Sequence, residues 1–202
     1  MPAAAFAEGA CQAAAAPRLM IDIFKSELRE SFDTTGTDLQ RLASGHGEKA
    51  HWPGLAVYVA GLGYKAAIDN ATDVDASGQF CATVSTVRVV ISIQPRVVHL
   101  ARELGSLPRC LLRAVLDHER QHAEVDDQAL EQWKPDVSHR VRDALANLPP
   151  LSAATETEAK ALVVAAIQAP LQQLVAELQQ NRDQLNEAID SPEAIVQLRA
   201  AC

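Results

Sequence analysis

The residues with the clearest chemical potential are His118-Glu119-Arg120-Gln121-His122, an H-E-x-x-H pattern. Two histidines four positions apart lie on one face of a helix, about 6 Å apart along its axis. Their imidazoles can bind one Zn²⁺ at about 2.0–2.1 Å, and the glutamate between them can take a proton from a zinc-bound water. The pattern therefore predicts a zinc site in which His118 and His122 are ligands and Glu119 is the general base.

The spacing is uncommon by chance, because a chain of this composition contains the pattern with a probability of about 0.01. The alternative is a solvated helix that happens to carry two histidines. The apolar run Leu111–Leu116 directly before the motif favours a partly buried helix. Charged Arg120 and Glu124 argue against the site, since most proteases of this kind have uncharged or apolar residues there.

Asp126 is the first candidate for the third zinc ligand, with Asp127 and His139 as alternatives. Asp126 continues the i, i+4, i+8 row, but it lies one turn further along and fits better as an acceptor for the imidazole N–H of His122. Asp127 becomes a ligand if the helix loosens after His122, and His139 becomes one if the next helix folds back. More distant acids are expected to be surface charges; these are Glu131, Glu156 and Glu158.

Other candidate residues have weaker support. His46, His51 and His99 have no partner at ligand spacing and are expected on loops or the surface. Tyr58 and Tyr64 are expected to pack on strands, with stabilisation of an oxyanion as the alternative. The chain contains no G-x-S-x-G, P-loop or G-x-G-x-x-G pattern, so serine hydrolase and nucleotide-binding functions lack support.

The elements that must position the motif are predicted from hydrophobic periodicity and turn residues. A short helix is expected at Leu39–Ala43, a hairpin connection at 70–79, and Pro95 at the end of the last strand. The predicted strands are Leu19–Phe24, Leu55–Val59, Tyr64–Ile68 and Phe80–Ile93. The last of these is also expected to offer an edge to an extended peptide.

From Pro108 onward the hydrophobic periodicity changes to that of helices. One helix is predicted from Pro108 to about Trp133, ended by Pro135, and a second covers 137–148. Two more follow from Thr155, broken or kinked at Pro170, and their apolar stripe is expected to dock on the rest of the domain. The expected fold is therefore α+β: a small, mainly antiparallel N-terminal sheet, the zinc-binding helix and a C-terminal helical segment.

Three segments are expected along the chain. Residues 1–16 are Ala-rich and are expected to be a disordered leader or the remnant of a signal peptide. Residues 17–148 form the metallopeptidase-like domain, and the helices of 151–202 pack on that same domain.

Charge and hydropathy limit the partners. A formal net charge of −8, from 26 acidic and 18 basic residues, argues against binding to nucleic acid or an anionic membrane. No stretch of 18 uncharged apolar residues occurs, so no transmembrane segment is expected. The partner expected is a peptide or protein substrate.

The four cysteines are dispersed and contain no C-x-x-C pair, which fits two disulfides in an exported protein or four thiols in a cytosolic one. We expect Cys81–Cys110, which would pin the start of the motif helix to the start of the main strand. Cys11–Cys202 would then join the two ends. These bonds and the leader predict a periplasmic or secreted protein.

The chain resembles the bacterial family of predicted secreted, zinc-dependent proteases of uncharacterised function. The resemblance lies in STVRVVISI, in Pro-Arg-Cys before LLRAVLDHERQH, and in the acidic stretch after it. It is looser at LMIDIF and at RDQLNEAIDSPE near the end of the chain. It implies that His118 and His122 bind zinc and that Glu119 is the catalytic base, without naming a substrate.

The leading hypothesis is a secreted or periplasmic zinc peptidase. A non-catalytic envelope or binding protein that retains the same fold is the second hypothesis. A cytosolic interaction protein built around the helices of 155–200 is the third. Metal content separates the first two hypotheses from the third, and peptidase activity separates the first from the second.

Overall fold

The computed structural model of the chain describes residues 11, 15–45, 55–106, 108–191, 193, 196 and 200. Within these residues the fold is α+β, as expected, with five strands and three α-helices. The strands are β1 (Arg18–Lys25), β2 (Arg29–Thr34), β3 (Ala56–Val74), β4 (Phe80–Ala101) and β5 (Leu151–Ala153). The helices are α1 (Gly36–Gly45), α2 (Arg109–Ala146) and α3 (Glu156–Ile189), and a 3-10 turn (Arg102–Ser106) follows β4.

The sheet is organised around β4, which pairs with all four other strands. β2 is parallel to β4, with Arg29 opposite Val97, whereas β5 is antiparallel, with Phe80 opposite Ala153. The sheet is therefore parallel in part, and the expectation of a mainly antiparallel sheet stays a prediction. Parallel neighbours need a long crossover, which α1 and β3 provide here. Because β4 is the central strand, it does not provide the expected peptide-binding edge.

The two long strands pass through residues that were expected to interrupt them. β3 continues through Gly61 and Gly63, and a Cβ at Gly61 would lie 3.1 Å from the carbonyl oxygen of Gln94. Glycine marks a close approach of two backbones at this position, and not a turn. β4 continues through Pro95, whose peptide bond with Gln94 is cis, and ends at Ala101.

The two long helices also pass through prolines, so the predicted end at Pro135 and the predicted break at Pro170 are wrong. The alternative of a kink at Pro170 stays a prediction. Proline inside a helix costs about 3 kcal/mol or more. Burial on both sides offsets this cost, since Trp133 and Val137 flank the first proline and Ile167 and Leu171 flank the second. Each proline is itself exposed.

By its internal contacts the chain divides into two compact units, to which β3, β4, α2 and α3 all contribute. The first unit contains the residues up to Asp22, Tyr64–Val90 and Lys134–Ala176. Its buried apolar residues include Val84, Val87, Val137, Val141, Ile167 and Leu171. The second unit contains Ile23–Gly63, Ile91–Trp133 and the chain from Glu177 onward. Its apolar core includes Leu39, Val57, Val59, Val98, Leu100, Leu104 and Val115.

The disulfides differ from the expected pairing. Cys11 is bonded to Cys81, with a Cα–Cα distance of 5.6 Å, so neither Cys81–Cys110 nor Cys11–Cys202 forms. Cys110 is also in a disulfide; the remaining cysteine, Cys202, lies outside the described residues. The Cys81–Cys110 prediction failed because Cys81 lies at the start of the 22-residue strand β4, whereas Cys110 lies at the start of α2, which follows the far end of that strand. Most of the expected leader, residues 1–16, also lies outside the described residues.

Helix α3 is long and apolar enough to cross a membrane by length and composition alone, with a mean hydropathy of 1.4 over its best window. Helices that pack in the core of a protein meet the same criterion. One face of α3 is buried inside the fold, through residues such as Ala159, Val163 and Leu171. The sequence expectation of no transmembrane segment stays a prediction.

Candidate metal centre

The H-E-x-x-H residues lie on α2, and all three chemical groups are buried. The exposed fractions are 3% for His118, 4% for Glu119 and 8% for His122. They are buried because α2 turns this face toward β3 and toward the end of α3. The two imidazoles are 5.1 Å apart between ring centroids and meet edge to face at 88°. The helix therefore presents both histidines on one side, as their spacing predicts.

A third group joins them from the end of α3. Oδ1 of Asp190 lies 3.1 Å from Nε2 of His118 and 3.2 Å from Nε2 of His122. Asp190 directly follows the last helical residue, Ile189, and its backbone N–H still bonds to the carbonyl of Asn186. The helix thus fixes where this carboxylate lies.

This donor set fits a zinc ion. Two imidazole nitrogens and one carboxylate oxygen are common zinc ligands, and three protein ligands leave a fourth position for water. In a tetrahedral site with bonds of about 2.0–2.1 Å, neighbouring ligand atoms are about 3.3 Å apart. The two measured separations, 3.1 and 3.2 Å, are close to that edge. Among the described residues, His118, His122 and Asp190 form the one such group that does not contain disulfide-bonded cysteines.

The next two contacts between α2 and α3 continue in register. Nδ1 of His122 is 2.9 Å from Oδ1 of Asn186, and Nε of Arg182 donates to Oδ1 of Asp126 at 2.5 Å. On both helices these positions are four residues apart, and one index rises as the other falls. The helices are therefore antiparallel here. The site begins a row of three facing polar pairs, which we call the polar ladder: His118–Asp190, His122–Asn186 and Asp126–Arg182.

Glu119 is held against β3. The backbone N–H of Tyr58 bonds to its carboxylate. Burial raises the pKa of Glu119, while the charges of His122 and His118 act in the opposite direction. A carboxylate with a raised pKa beside two imidazoles suits a group that takes up a proton and returns it.

The charges of His122 and Asp190 stabilise each other. Burial alone would lower the pKa of His122, but the hydrogen bond to Asp190 and the charge of Glu119 raise it to about 9. Burial alone would raise the pKa of Asp190, but hydrogen bonds from His118 and His122 hold it well below its usual range. Without metal, protonated His122 donates to Asp190 and Asn186, and a bound cation would replace the proton on Nε2.

The other ligand candidates are committed elsewhere. Asp126 is fully buried and accepts bonds from Tyr58 and Arg182. Asp127 pairs with Lys25 and Arg96 at 2.9 and 2.8 Å. His139 is largely exposed and pairs with Asp143 on its own helix. The structure therefore does not bring Asp126, Asp127 or His139 into the group formed by the two histidines.

The remaining candidates are the two tyrosines, the other histidines and the distant glutamates. The hydroxyl of Tyr58 is bonded to Asp126 and Arg96, so it is not a free donor for an oxyanion. Tyr64 lies on β3 in the other unit, and His99 lies on β4 opposite Ser31 of β2. His46 and His51 lie outside the described residues. Exposed Glu131, Glu156 and Glu158 are surface charges, as expected.

Asp190 is the residue that sequence reasoning missed. It is separated from His122 by the whole of α3, and no spacing rule joins two positions so far apart. One signal was available: Arg182, Asn186 and Asp190 repeat every four residues, so they share one face of a helix. That face is polar in the middle of an apolar stripe, which matches the polar row of α2.

No protein-family model, curated protein or solved structure matches this chain significantly. The functional assignment therefore depends on the geometry of the site.

Proposed function

We propose that the protein is a zinc-dependent peptidase with His118, His122 and Asp190 as metal ligands and Glu119 as general base. The observation that carries the proposal is the convergence of two imidazole Nε2 atoms on one carboxylate oxygen, at zinc-ligand separations, beside a buried glutamate. The resemblance to predicted secreted zinc proteases supports the same residues at positions 118, 119 and 122.

Each residue has a defined task in this proposal. A bound zinc would supply a Lewis acid and lower the pKa of a coordinated water. The carboxylate of Glu119 accepts that water's proton and returns it to the leaving amine. The Tyr58 N–H donates a hydrogen bond to this carboxylate from the β3 side. The Asn186 oxygen accepts the Nδ1 proton of His122, which leaves Nε2 free for the metal.

The cysteines support a proposal for the cellular location. The Cys11–Cys81 bond favours an oxidising compartment, and we propose a periplasmic or secreted protein that acts on peptide or protein substrates. The net charge of −8 gives no support to a nucleic-acid partner.

Metal analysis tests the proposal. Wild-type protein purified with zinc should carry about one ion per chain, and His118→Ala, His122→Ala and Asp190→Ala should carry little. His139→Ala is the matched control, because this exposed histidine on the same helix faces Asp143. Zinc content unchanged in the three site variants would overturn the assignment.

Hydrolysis of an unfolded protein substrate, lost with chelator and restored by zinc, tests the activity itself. Zinc binding at the site without any hydrolysis would favour the second hypothesis, a non-catalytic envelope or binding protein that retains the metal.

A further inference from the structure

The side chain of Asp126 is fully buried and is not part of the ligand group, yet two chains of contacts lead from it to His122. Buried carboxylates are costly unless they are paired and hydrogen-bonded. The surroundings of Asp126 satisfy both conditions, and they also place its partners around one metal-binding ring.

The first chain of contacts passes through Tyr58. The Tyr58 hydroxyl donates to Oδ2 of Asp126 at 2.7 Å, and Nε of Arg96 donates to the same hydroxyl at 3.2 Å. With its hydroxyl fixed, the tyrosine ring lies nearly parallel to the His122 ring, with centroids 6.4 Å apart and planes 8° apart. Tyr58 therefore limits the tilt of the imidazole.

The second chain of contacts passes through α3. Arg182 donates to both oxygens of Asp126, from Nε at 2.5 Å and from Nη2 at 3.2 Å. This pair holds the Arg182 turn of α3 against α2. The backbone carbonyl of Arg182 accepts a bond from Nδ2 of Asn186 at 3.0 Å, which leaves Oδ1 of that amide facing His122. Nδ1 of His122 lies 2.9 Å from this oxygen.

We infer that Asp126 is a positioning residue of the metal centre, which holds the His122 ring through Tyr58 on one side and through Arg182 and Asn186 on the other. The inference rests on the proposed function, because it assigns Asp126 a task at the same site. Groups that orient a metal-binding histidine typically change metal affinity by about 10- to 100-fold when they are removed.

The sharpest test compares two asparagines on α3. Asn186 and Asn181 both accept a bond from a ring N–H of α2, His122 Nδ1 at 2.9 Å and Trp133 Nε1 at 3.3 Å. The two alanine variants therefore remove the same kind of contact between the same helices. Asn186→Ala should raise the zinc Kd, measured by competition with a chelator, by about 10- to 100-fold. Asn181→Ala should leave the zinc Kd unchanged.

Tyr58→Phe and Asp126→Asn test the rest of the network. Tyr58→Phe keeps the stacked ring and loses only the hydroxyl, so we expect a smaller rise in Kd than in Asn186→Ala. Asp126→Asn loosens both sides and should give the largest rise. Its Co²⁺-loaded absorption spectrum should also change, whereas that of Asn181→Ala should match wild type. If Asp126→Asn does not fold, Tyr58→Phe and Asn186→Ala still decide the question.

A metal-free measurement separates this inference from the proposed function. In wild type and Asn181→Ala, the His122 Nδ1–H should give a slowly exchanging imidazole signal by NMR, assigned from its loss in His122→Ala. In Asn186→Ala and Asp126→Asn that proton should exchange quickly. If the wild-type protein binds no zinc but these exchange differences remain, the proposed function is overturned and the contacts that hold the His122 ring are not. The positioning role of Asp126 would be overturned if all three network variants had the zinc affinity of Asn181→Ala and if Asn186→Ala and Asp126→Asn also had its exchange rate.

Discussion

Helices α2 and α3 face each other in both units of the molecule, with different chemistry in each. In the second unit the facing positions are polar: His118, His122 and Asp126 on α2, and Asp190, Asn186 and Arg182 on α3. In the first unit they are apolar: Val141 and Leu145 on α2, and Ile167, Leu171 and Leu174 on α3. The same helical spacing produces both faces.

The comparison separates residues that stabilise the fold from residues that we propose serve the function. Burying apolar side chains stabilises a fold by roughly 25 cal/mol per Å², whereas buried ion pairs are often no better than apolar residues of similar size. The polar ladder of the second unit thus contributes little that apolar residues would not supply more simply. Its presence is better explained by the metal centre that we propose at its end. Substitutions in the two regions should therefore change different properties.

The largest effect is expected from Glu119→Gln in the polar region. Glutamine keeps the shape of the side chain but cannot accept the water's proton. We expect peptide hydrolysis to fall by about 10²- to 10⁴-fold, the usual range for losing a general base, while zinc content stays at the wild-type level. Glu124→Gln, at an exposed position on the same helix, is the control. Equal turnover in the two variants would show that Glu119 is not the base.

The second prediction concerns the apolar region. Leu171 is almost completely buried, with 2% exposed, so Leu171→Ala should lower the free energy of unfolding by about 2–5 kcal/mol. Zinc affinity of the folded protein should be unchanged. Denaturant titration of the zinc-free protein measures the first quantity, and chelator competition measures the second. Leu162→Ala is the matched control, since Leu162 is 48% exposed on the same helix. A large loss of zinc affinity in Leu171→Ala would contradict the separation.

Third, zinc should stabilise the polar region only when its ligands are intact. At a free zinc concentration 100 times the Kd, binding to the folded state adds about 2.7 kcal/mol to the free energy of unfolding. Wild type and Leu171→Ala should both show this gain in thermal or denaturant unfolding. Asp190→Ala should not show it. A full gain in Asp190→Ala would mean that the carboxylate of Asp190 is not a ligand.

The sequence allowed the α+β class and the helical face of His118 and His122 to be predicted, because both depend on local periodicity. It did not allow the ends of the long elements to be predicted. Pro135, Pro170 and Gly61 were interpreted by their local preferences, and packing outweighed those preferences.

Contacts between distant parts of the chain could not be predicted either. Asp190 meets the histidines only because α3 runs antiparallel to α2 in the right register, and Cys11 meets Cys81 only in the folded first unit. Asp126 was considered both as a ligand and as an acceptor for His122. Its spacing gave no indication that Arg182 and Tyr58 would pair with it instead.

The smallest effect is expected from filling a cavity in the apolar region. A cavity of about 200 Å³ lies between α2 and α3, lined mainly by Val141, Ala144, Leu145, Ile167 and Leu171. Ala144→Leu adds apolar atoms there and should raise the free energy of unfolding by about 0.5–2 kcal/mol, without changing zinc affinity. Ala165→Leu is the control, because Ala165 is exposed on α3 and leucine and alanine are both good helix formers. Equal stability of the two variants would show that the cavity is not filled, and a loss of stability in Ala144→Leu would show that its walls are too rigid to accept a larger side chain.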